Sequence, residues 1–462
     1  MMRVAFAAQT VTSASIRAVN HDPVVDRLRG RAGNRARSLR TWFSSVGAGY
    51  AAVLPRVDCA AGDGVELLSQ VDAFATEPSG RWVRGDLIRV LDDLRIRRGD
   101  VLVAGAGQIG ISTLFGRSIL ADARLEGRIA AADVMILRGA GTGDDNILYA
   151  YALLCSSFGV RALRSCAYGT SIPRLRPDLI ANLPIPQAEP GTVRRVAALV
   201  RVAMSEREAH AKSIADARAM IEHLADVREA TEMCRARKAR CVLWSEPLRS
   251  LCAWNTASLG GAMAYLRRRW SRRLVDAVPM DGMFYGLLRQ RTPSASGNGV
   301  PLITQRDAQS VRQLPTWIAD PGVDRKALFS PPNSIVVPGR GTLGEGEVFG
   351  VPILVTPGLS RYALTQDLLR IAPERDSVAV VHLFLSTLLG RRLIRSCAVG
   401  TKILQLRLDL LRELPIPELG ATETKQVRSL HVQAVAAFDR ASEAEDSAVR
   451  IIEEEVLPQW LA

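Results

Sequence analysis

Lysine is scarce in this chain. Five of the sixty basic residues are Lys, so 55 are Arg, the side chain whose planar fork suits phosphates and guanine edges, although a G+C-rich genome produces the same bias. Histidine is scarce too. His21, His210, His223, His382 and His431 are scattered, and no metal constellation, Ser–His–Asp set or paired-carboxylate arrangement can be nominated from spacing. The seven Cys form no CxxC pair, which fits reduced, mostly buried thiols. Cys234, Cys241 and Cys252 are the one cluster, and without a neighbouring His they give a zinc site little support. Long hydrophobic runs are missing as well: the longest, around Ile147–Val160 and Val378–Leu389, fall short of the roughly 18–20 residues that span a bilayer. Met1–Ala8 has one charge and a very short apolar run, a poor secretory signal, so the chain is read as cytoplasmic.

What is present is a long globular chain. With 462 residues, 48% apolar and 23% charged, it can bury large cores and is expected to form two to four domains. A net charge of +13 and an isoelectric point near 9.9 point to a polyanionic partner, nucleic acid first. The excess is spread evenly, with nets of +6 over residues 1–231 and +7 over residues 232–462.

The two halves repeat. Tyr151–Pro186 aligns without a gap to His382–Pro417, and 18 of 36 positions are identical. Shared are Arg164-Ser165-Cys166-Ala167 with Arg395-Ser396-Cys397-Ala398, Gly169-Thr170 with Gly400-Thr401, and Leu183-Pro184-Ile185-Pro186 with Leu414-Pro415-Ile416-Pro417. The block from Gly64 to Ala73 recurs at Gly299–Ala308, and the block from Asp100 to Gly110 recurs from Ser334 to Gly344. The chain is a tandem duplication of a unit of about 230 residues.

Each unit has the same order of textures. Short β-like runs (Asp100–Ala104, Asp133–Leu137; Ser334–Val337, Val351–Val355) lead into one apolar helix, expected over Ile147–Ser157 and Val378–Leu388. Leu-Pro-Ile-Pro then makes a stiff extended exit that no helix crosses. A long helix follows, expected from Thr192 to about Arg240 and from Thr422 to Val456. Apolar residues recur in 3–4 spacing at Val196, Val200, Ala203, Ile214, Ala217, Ile221 and Leu224, and at Val427, Ala434, Phe438, Ala441, Ala448 and Ile452. One heptad stripe on each calls for a partner helix, and the obvious partner is the other one. Arg207 and His210 interrupt the first stripe, so the seam is expected to be partly polar.

Gly105-Ala106-Gly107-Gln108-Ile109-Gly110 matches a dinucleotide-binding fingerprint, but the β-branched, Gly-broken stretch after it is a poor helix start. Its repeat, Gly339-Arg340-Gly341-Thr342-Leu343-Gly344, runs into Glu345-Gly346-Glu347, and the pair reads as a hairpin or glycine turn. Ser330-Pro331-Pro332-Asn333 resembles the loop with which adenine methyltransferases hold a flipped base, but lacks the aromatic residue that completes such a pocket. It reads as a rigid loop entering the strand at Ser334. Arg27, Arg29, Arg31, Arg35, Arg37 and Arg40 run into Trp42-Phe43, and Arg267-Arg268-Arg269-Trp270-Ser271-Arg272-Arg273 interleaves a Trp among Arg. Both fit phosphate contact with stacking or a solvated helix face. The segments from Gly169 to Arg176 and from Gly400 to Arg407 recur in the same context. They can meet a phosphate or base edge, or seat a helix on a sheet.

In sum of these features the chain resembles the specificity subunit of type I restriction–modification systems. The resemblance rests on the Gly-x-Gly-x-Ile-Gly loop after Gly-Asp-Val-Leu-Val, the Gly-Thr-x-Ile segment leading to Leu-Pro-Ile-Pro, the long helix, and the recurrence of all of it, roughly over Gly64–Leu224 and Gly299–Val456. It implies a mixed α/β fold with two target-recognition domains, each reading half of a bipartite double-stranded DNA sequence, and a pair of long antiparallel coiled-coil helices. It also implies a chain with no active site and no cofactor of its own. Methyltransferase subunits, two of them, would bring S-adenosylmethionine, and restriction subunits would bring ATP and Mg; a related methylation-based defence complex fits the same pattern. The implied division is 1–187 and 241–417 for the recognition domains, with 188–240 and 418–462 as spacer helices. The candidate DNA contacts are Gln70, Gly105, Gly107, Gln108, Thr170, Arg174, Arg176, Arg267, Arg268, Arg269, Gln305, Arg306, Arg340, Thr401, Lys402 and Gln405. After Leu-Pro-Ile-Pro, the family's Pro-Pro-Leu-x-Glu-Gln is replaced by Gln187-Ala188-Glu189-Pro190-Gly191 and Glu418-Leu419-Gly420-Ala421-Thr422. Competing readings are a stand-alone S-adenosylmethionine-dependent DNA methyltransferase using the glycine motifs, and a coiled-coil scaffold without a DNA role.

Overall fold

A computed structural model describes residues 18–32, 36–110, 113–169, 171–235, 257–288, 291–342 and 347–461. It divides into two compact units of mixed α/β structure: Met1–Glu208 with Arg440–Ala462, and Ala209–Asp439.

In the first unit, Val101–Ala104 is apolar at every position and buried on both faces, so it becomes the inner strand of a sheet. Ser45–Val46, Val134–Arg138, Val101–Ala104 and Ser118–Leu120 lie side by side in that order, all antiparallel. A second sheet sets Val65–Leu68 between Arg81–Val83, antiparallel, and Ile129–Ala130, parallel. The apolar segment that follows is two helices rather than the expected one. Asp145–Cys155 stops at Ser156, which turns extended, and its hydroxyl accepts from the Gly159 amide at 3.0 Å to cap Ser157–Arg164. The two axes differ by 82°. Gly159 is required there, because a Cβ would stand 2.0 Å from the Leu153 carbonyl oxygen. Pro184–Ile185 of the first Leu-Pro-Ile-Pro pairs with Arg37–Ser38 as an extended exit.

The second unit repeats this plan. Met283–Tyr285, Leu368–Ile371, Ile335–Pro338 and Ile353–Leu354 form the antiparallel sheet. Val300–Ile303 lies between Thr316–Ile318 and the parallel Ala363–Leu364. The expected single helix again breaks: Val378–Ser386 ends at Thr387, whose hydroxyl caps Leu388–Ser396 through the Gly390 amide at 3.0 Å. The cause is the same, a capping hydroxyl in extended backbone followed by a glycine that lets the next turn approach.

The first long helix is Pro190–Glu222 and the second Ala421–Ile451, about 50 and 46 Å at 1.5 Å per residue. The expectation of one helix to Arg240 is corrected. The helix stops at Glu222, and Ala225–Arg235 is a separate helix whose buried Val227 and Ala230 pack into the core shared with Ala262 and Leu266 of the helix Ala257–Arg269. Residues 236–240 lie outside the described residues. The second ends in a π-turn, Ile452–Val456, and a short helix, Leu457–Leu461. In the first unit Val196, Val200 and Met204 share a core with Ala448, Val449 and Ile452. There Arg195 meets Glu455 and Arg207 meets Glu445, so the paired segments run antiparallel. In the second unit Ile214, Ala217 and Ile221 share a core with Val427 and Ala434.

The polar interruptions of the stripe are satisfied. Arg207 donates to Glu445, which also accepts from the Tyr151 hydroxyl, all within the first unit. His210 Nδ1 lies 2.9 Å from the Ala434 carbonyl oxygen, so it carries the proton there. Nearby in the second unit, His382 Nδ1 lies 3.1 Å from His431 Nε2. Among the described residues no single helix is long and apolar enough to cross a membrane.

Candidate nucleic-acid interface

In each unit the glycine loop is locked from behind by a tyrosine and in front by a two-stranded ribbon. In the first, the Gly105 carbonyl accepts from the Tyr50 hydroxyl at 2.5 Å and from the Leu175 amide at 2.9 Å. A Cβ on Gly105 would meet the Tyr50 ring at 2.6 Å, so only glycine fits. Burial pushes the Tyr50 hydroxyl up to about 12, which keeps it a neutral donor. Gly107, with φ +140°, donates its amide to the Pro173 carbonyl at 3.1 Å. No helix starts among the described residues 105–110 and 113–117, and the chain returns as Ser118–Leu120 antiparallel to Val101–Ala104. A dinucleotide site needs a helix N-terminus at that point, and the described residues supply none.

In the second unit the Tyr285 hydroxyl lies 3.2 Å from the Gly339 carbonyl oxygen and 2.9 Å from that of Leu406, and burial pushes it above its ordinary value. Arg340–Gly341 pairs with the ribbon strand Leu404–Leu406, and the strands on either side of the loop, Ile335–Pro338 and Ile353–Leu354, pair antiparallel as the hairpin reading expected. Arg340 also forms an ion pair with Asp367 at 3.3 Å. Leu343 and Gly344 lie outside the described residues.

The two ribbons are Ala167–Tyr168 with Arg174–Leu175, and Ala398–Val399 with Leu404–Leu406. Their tips turn at Gly169 and Gly400, with φ +89° and +119°. The tips expose a large apolar side chain at the same place, Ile172 at 64% and Ile403 at 66%. Thr401, Lys402 and Gln405 are exposed, as are Ser171 and Gln108, while Thr170 lies outside the described residues. Arg174 is partly buried, with Nη1 donating to the Ala132 carbonyl at 3.0 Å. Arg176 is held by Asp178 at 2.5 Å, raising the guanidinium and lowering the carboxyl, and the Arg407–Asp409 pair repeats the arrangement. The clasp occurs in both copies, so it is part of the framework that seats the short helices Pro177–Ala181 and Leu408–Arg412.

Gln70 and Gln305 stand at equivalent places, each the second residue of a local cap. Ser69 with Asp72 and Thr304 with Asp307 make the hydroxyl–carboxylate pairs, and burial raises both carboxyls. Gln305 Nε2 donates to the Arg340 carbonyl at 3.0 Å, and a Cβ on Gly107 would come 3.7 Å from Gln70 Nε2. The carboxamide oxygens of Gln70 and Gln305 are buried without a partner among the described residues. Arg306 beside Gln305 is exposed.

The arginine clusters divide. Arg267 and Arg268 are exposed at the end of the helix Ala257–Arg269, whereas Arg269 is held by Asp226 at 3.0 Å and lies over the Tyr265 ring. Trp270 does not offer a free stacking face. Its Nε1 donates to Asp226 at 3.1 Å and its ring packs edge-on against Phe384. In the first cluster Arg27 and Arg31 are exposed, Arg29 pairs with Asp26, Arg40 donates to Asn182, and Trp42 packs edge-on against Tyr149. Arg35 lies outside the described residues. Ser330-Pro331-Pro332-Asn333 is a tight turn into Ile335, with the Ser334 amide donating to the Pro331 carbonyl at 3.2 Å and Asn333 at φ +67°. Among the described residues no group of three His, Cys, Asp or Glu can hold a metal ion. Cys241 and Cys252 lie outside them.

Sequence reading missed Tyr50 and Tyr285. The signal was available: they are 235 residues apart, the same offset as Gly64 and Gly299. It also missed Arg164 and Arg395, identical in the repeat, which donate through Nε to the Phe115 and Phe349 carbonyls at 2.9 Å each and tie the capped helix to the glycine loop.

No family model matches the sequence, and no curated protein matches it. Solved structures do. A type I restriction–modification S subunit from M. genitalium is 13% identical, over 92% of this chain and 95% of that one, with a TM-score of 0.33. The HsdS subunit from Thermoanaerobacter tengcongensis is 18% identical, over 90% and 96%, with a TM-score of 0.24. A chain from a structure on complex assembly and conformational transition of the type I R-M system is 16% identical, over 92% and 96%, with a TM-score of 0.26. The first and third are described as belonging to type I restriction–modification systems and the second as an HsdS subunit, and this chain is similar to each across most of its length.

Proposed function

We propose that this chain is a non-catalytic, cytoplasmic specificity subunit that reads a bipartite double-stranded DNA target and docks methyltransferase subunits. One observation carries the reading. Each unit builds the same constellation of tyrosine, glycine loop and ribbon, with a shared framework and divergent side chains, exposed Ser171 against exposed Lys402 and half-buried Arg174 against exposed Gln405. A duplicated scaffold with variable tips is what reading two different half-sites demands.

Residues 1–187 and 241–417 are the two recognition domains in this reading. The helices within 188–240 and 418–462 serve as spacers and as the docking elements for two methyltransferase subunits, with restriction subunits as further partners. S-adenosylmethionine, ATP and Mg belong to those partners. The DNA contacts come from the ribbon tips and glycine loops, chiefly Gln108, Thr170, Arg174, Thr401, Lys402 and Gln405, with Gln70 and Gln305 behind them. Arg267, Arg268, Arg306 and Arg340 supply phosphate contacts. The test is co-purification from the native host. A methyltransferase subunit should arrive in about twofold excess, and methyl transfer should require it. Methyl transfer by the isolated chain would refute the reading in favour of a stand-alone enzyme.

A further inference from the structure

We propose that Arg174 and Gln405 occupy the same base-reading position in the two units, so that the first unit selects guanine and the second adenine at that place in their half-sites. The inference rests on the DNA-reading role proposed above and gives it a chemical identity at one position.

The two residues are equivalent under the offset of 231 that relates Tyr151–Pro186 to His382–Pro417. Around them the ribbon is shared. The tip glycines have positive φ, Ile172 and Ile403 are exposed to the same degree, Leu175 and Leu406 are buried, and Arg176 and Arg407 are clasped by Asp178 and Asp409. In the second unit strand alternation buries Leu404 and Leu406 and turns Gln405 outward. In the first, Leu175 is buried and Arg174, on the opposite face of the strand, is half-buried, with its guanidinium close to the Tyr50 hydroxyl. Both positions are fixed from behind by the glycine loop, Ala106 bridging to Arg174 and Arg340 pairing with Gln405. The Ala132 carbonyl holds one nitrogen of the Arg174 fork at 3.0 Å and so limits its rotation.

A rigid, duplicated backbone therefore delivers two different side chains to one spot. Their chemistry selects different bases. A guanidinium presents two parallel donors that match O6 and N7 of guanine, whereas a carboxamide presents one donor and one acceptor that match N7 and N6 of adenine. Arg176 and Arg407 are engaged by carboxylates and identical in the two units, so they carry no such distinction.

The experiment uses the full chain, purified, with a pool of DNA duplexes of randomised sequence, and sequences the bound fraction. The wild type should enrich two distinct half-sites. Q405R should change one adenine to guanine in one half-site, R174Q should make the reciprocal change in the other, and each preference should move by roughly 5- to 150-fold. Because Arg174 is partly buried, R174K serves as a second variant: it keeps the charge and donors that can reach guanine but loses the planar fork, so the guanine preference should weaken without reversing while overall binding persists. Q405R alters an exposed position and reads the proposal independently of any folding defect at Arg174. Unchanged half-sites in Q405R, or a uniform loss of binding across all sequences in R174Q and R174K, would overturn the assignment while leaving DNA reading intact. A wild type that enriches no sequence would overturn DNA reading itself.

Discussion

Replacing Arg207 with Met should destabilise the first unit by several kcal/mol, and replacing its two partners as well should restore most of the loss. The Arg207 and Glu445 side chains are only 5% and 4% exposed. Glu445 accepts from both Arg207 and the Tyr151 hydroxyl, so its two oxygens are satisfied inside the core. Burial works against the charged guanidinium, but the Glu445 carboxylate and Tyr151 outweigh it and hold Arg207 above its ordinary value. R207M strands a carboxylate with one neutral donor, a change that costs about 3–5 kcal/mol when a buried pair is broken from one side. At a urea dependence of roughly 2–3 kcal/mol/M the midpoint should fall by about 1–2.5 M. The triple variant R207M/E445L/Y151F removes charge, acceptor and donor together, and should lie within about 1 kcal/mol of the wild type. Urea unfolding read by pulsed hydrogen exchange separates peptides of the first unit from those of the second, whose midpoint should not move. A shift in R207M of less than about 0.3 M, or a triple variant as unstable as R207M, would refute the balance of desolvation against pairing.

The second unit should instead be sensitive to mild acid. Burial, with His210, holds His431 down to about 4, and burial with His431, Arg218 and His210 holds His382 well below its usual range. The unfolded chain then binds more protons between about pH 4 and 6.5. Stability should be complete above about pH 6.5 and fall as pH drops towards 4, by about 3 kcal/mol for His431 alone. A flat urea midpoint of this unit between about pH 7.5 and 5 would contradict this. Gly390→Ala should cost about 2–3 kcal/mol, because its Cβ would stand 2.1 Å from the Phe384 carbonyl oxygen and force the capped turn open; a thermal melt unchanged from wild type would show that the turn relaxes freely. For DNA affinity, neutralising exposed Arg267 and Arg268 should each flatten the slope of log K against log salt by roughly 0.9 if they meet phosphates. Arg269, already paired with Asp226, should matter less; equal effects from all three would mean that the pairing is not maintained on DNA.

The sequence by itself determined the duplication, and with it most of the architecture. Runs such as Val101–Ala104 and Ile335–Pro338 are apolar at every position and could only be inner strands, and Leu-Pro-Ile-Pro could only be an extended exit, because proline fixes φ and removes a donor. The 3–4 stripe from Val196 to Ile221 likewise required a long helix with an apolar partner. These are local rules, and local rules are written in neighbouring residues.

Only the tertiary structure decided where the apolar helices break, since Ser156 and Thr387 act as caps through extended backbone and not through any loss of helical pattern. It also decided that the first long helix ends at Glu222, because Val227 and Ala230 are buried in a core that includes residues more than thirty positions away. The tyrosine locks behind the glycine loops, the Tyr151–Glu445–Arg207 contact and the His382–His431 contact join residues 49 to 294 positions apart. Hydrogen bonds and burial across such separations leave no periodicity in the chain; they depend on which surfaces meet once the strands and helices have packed.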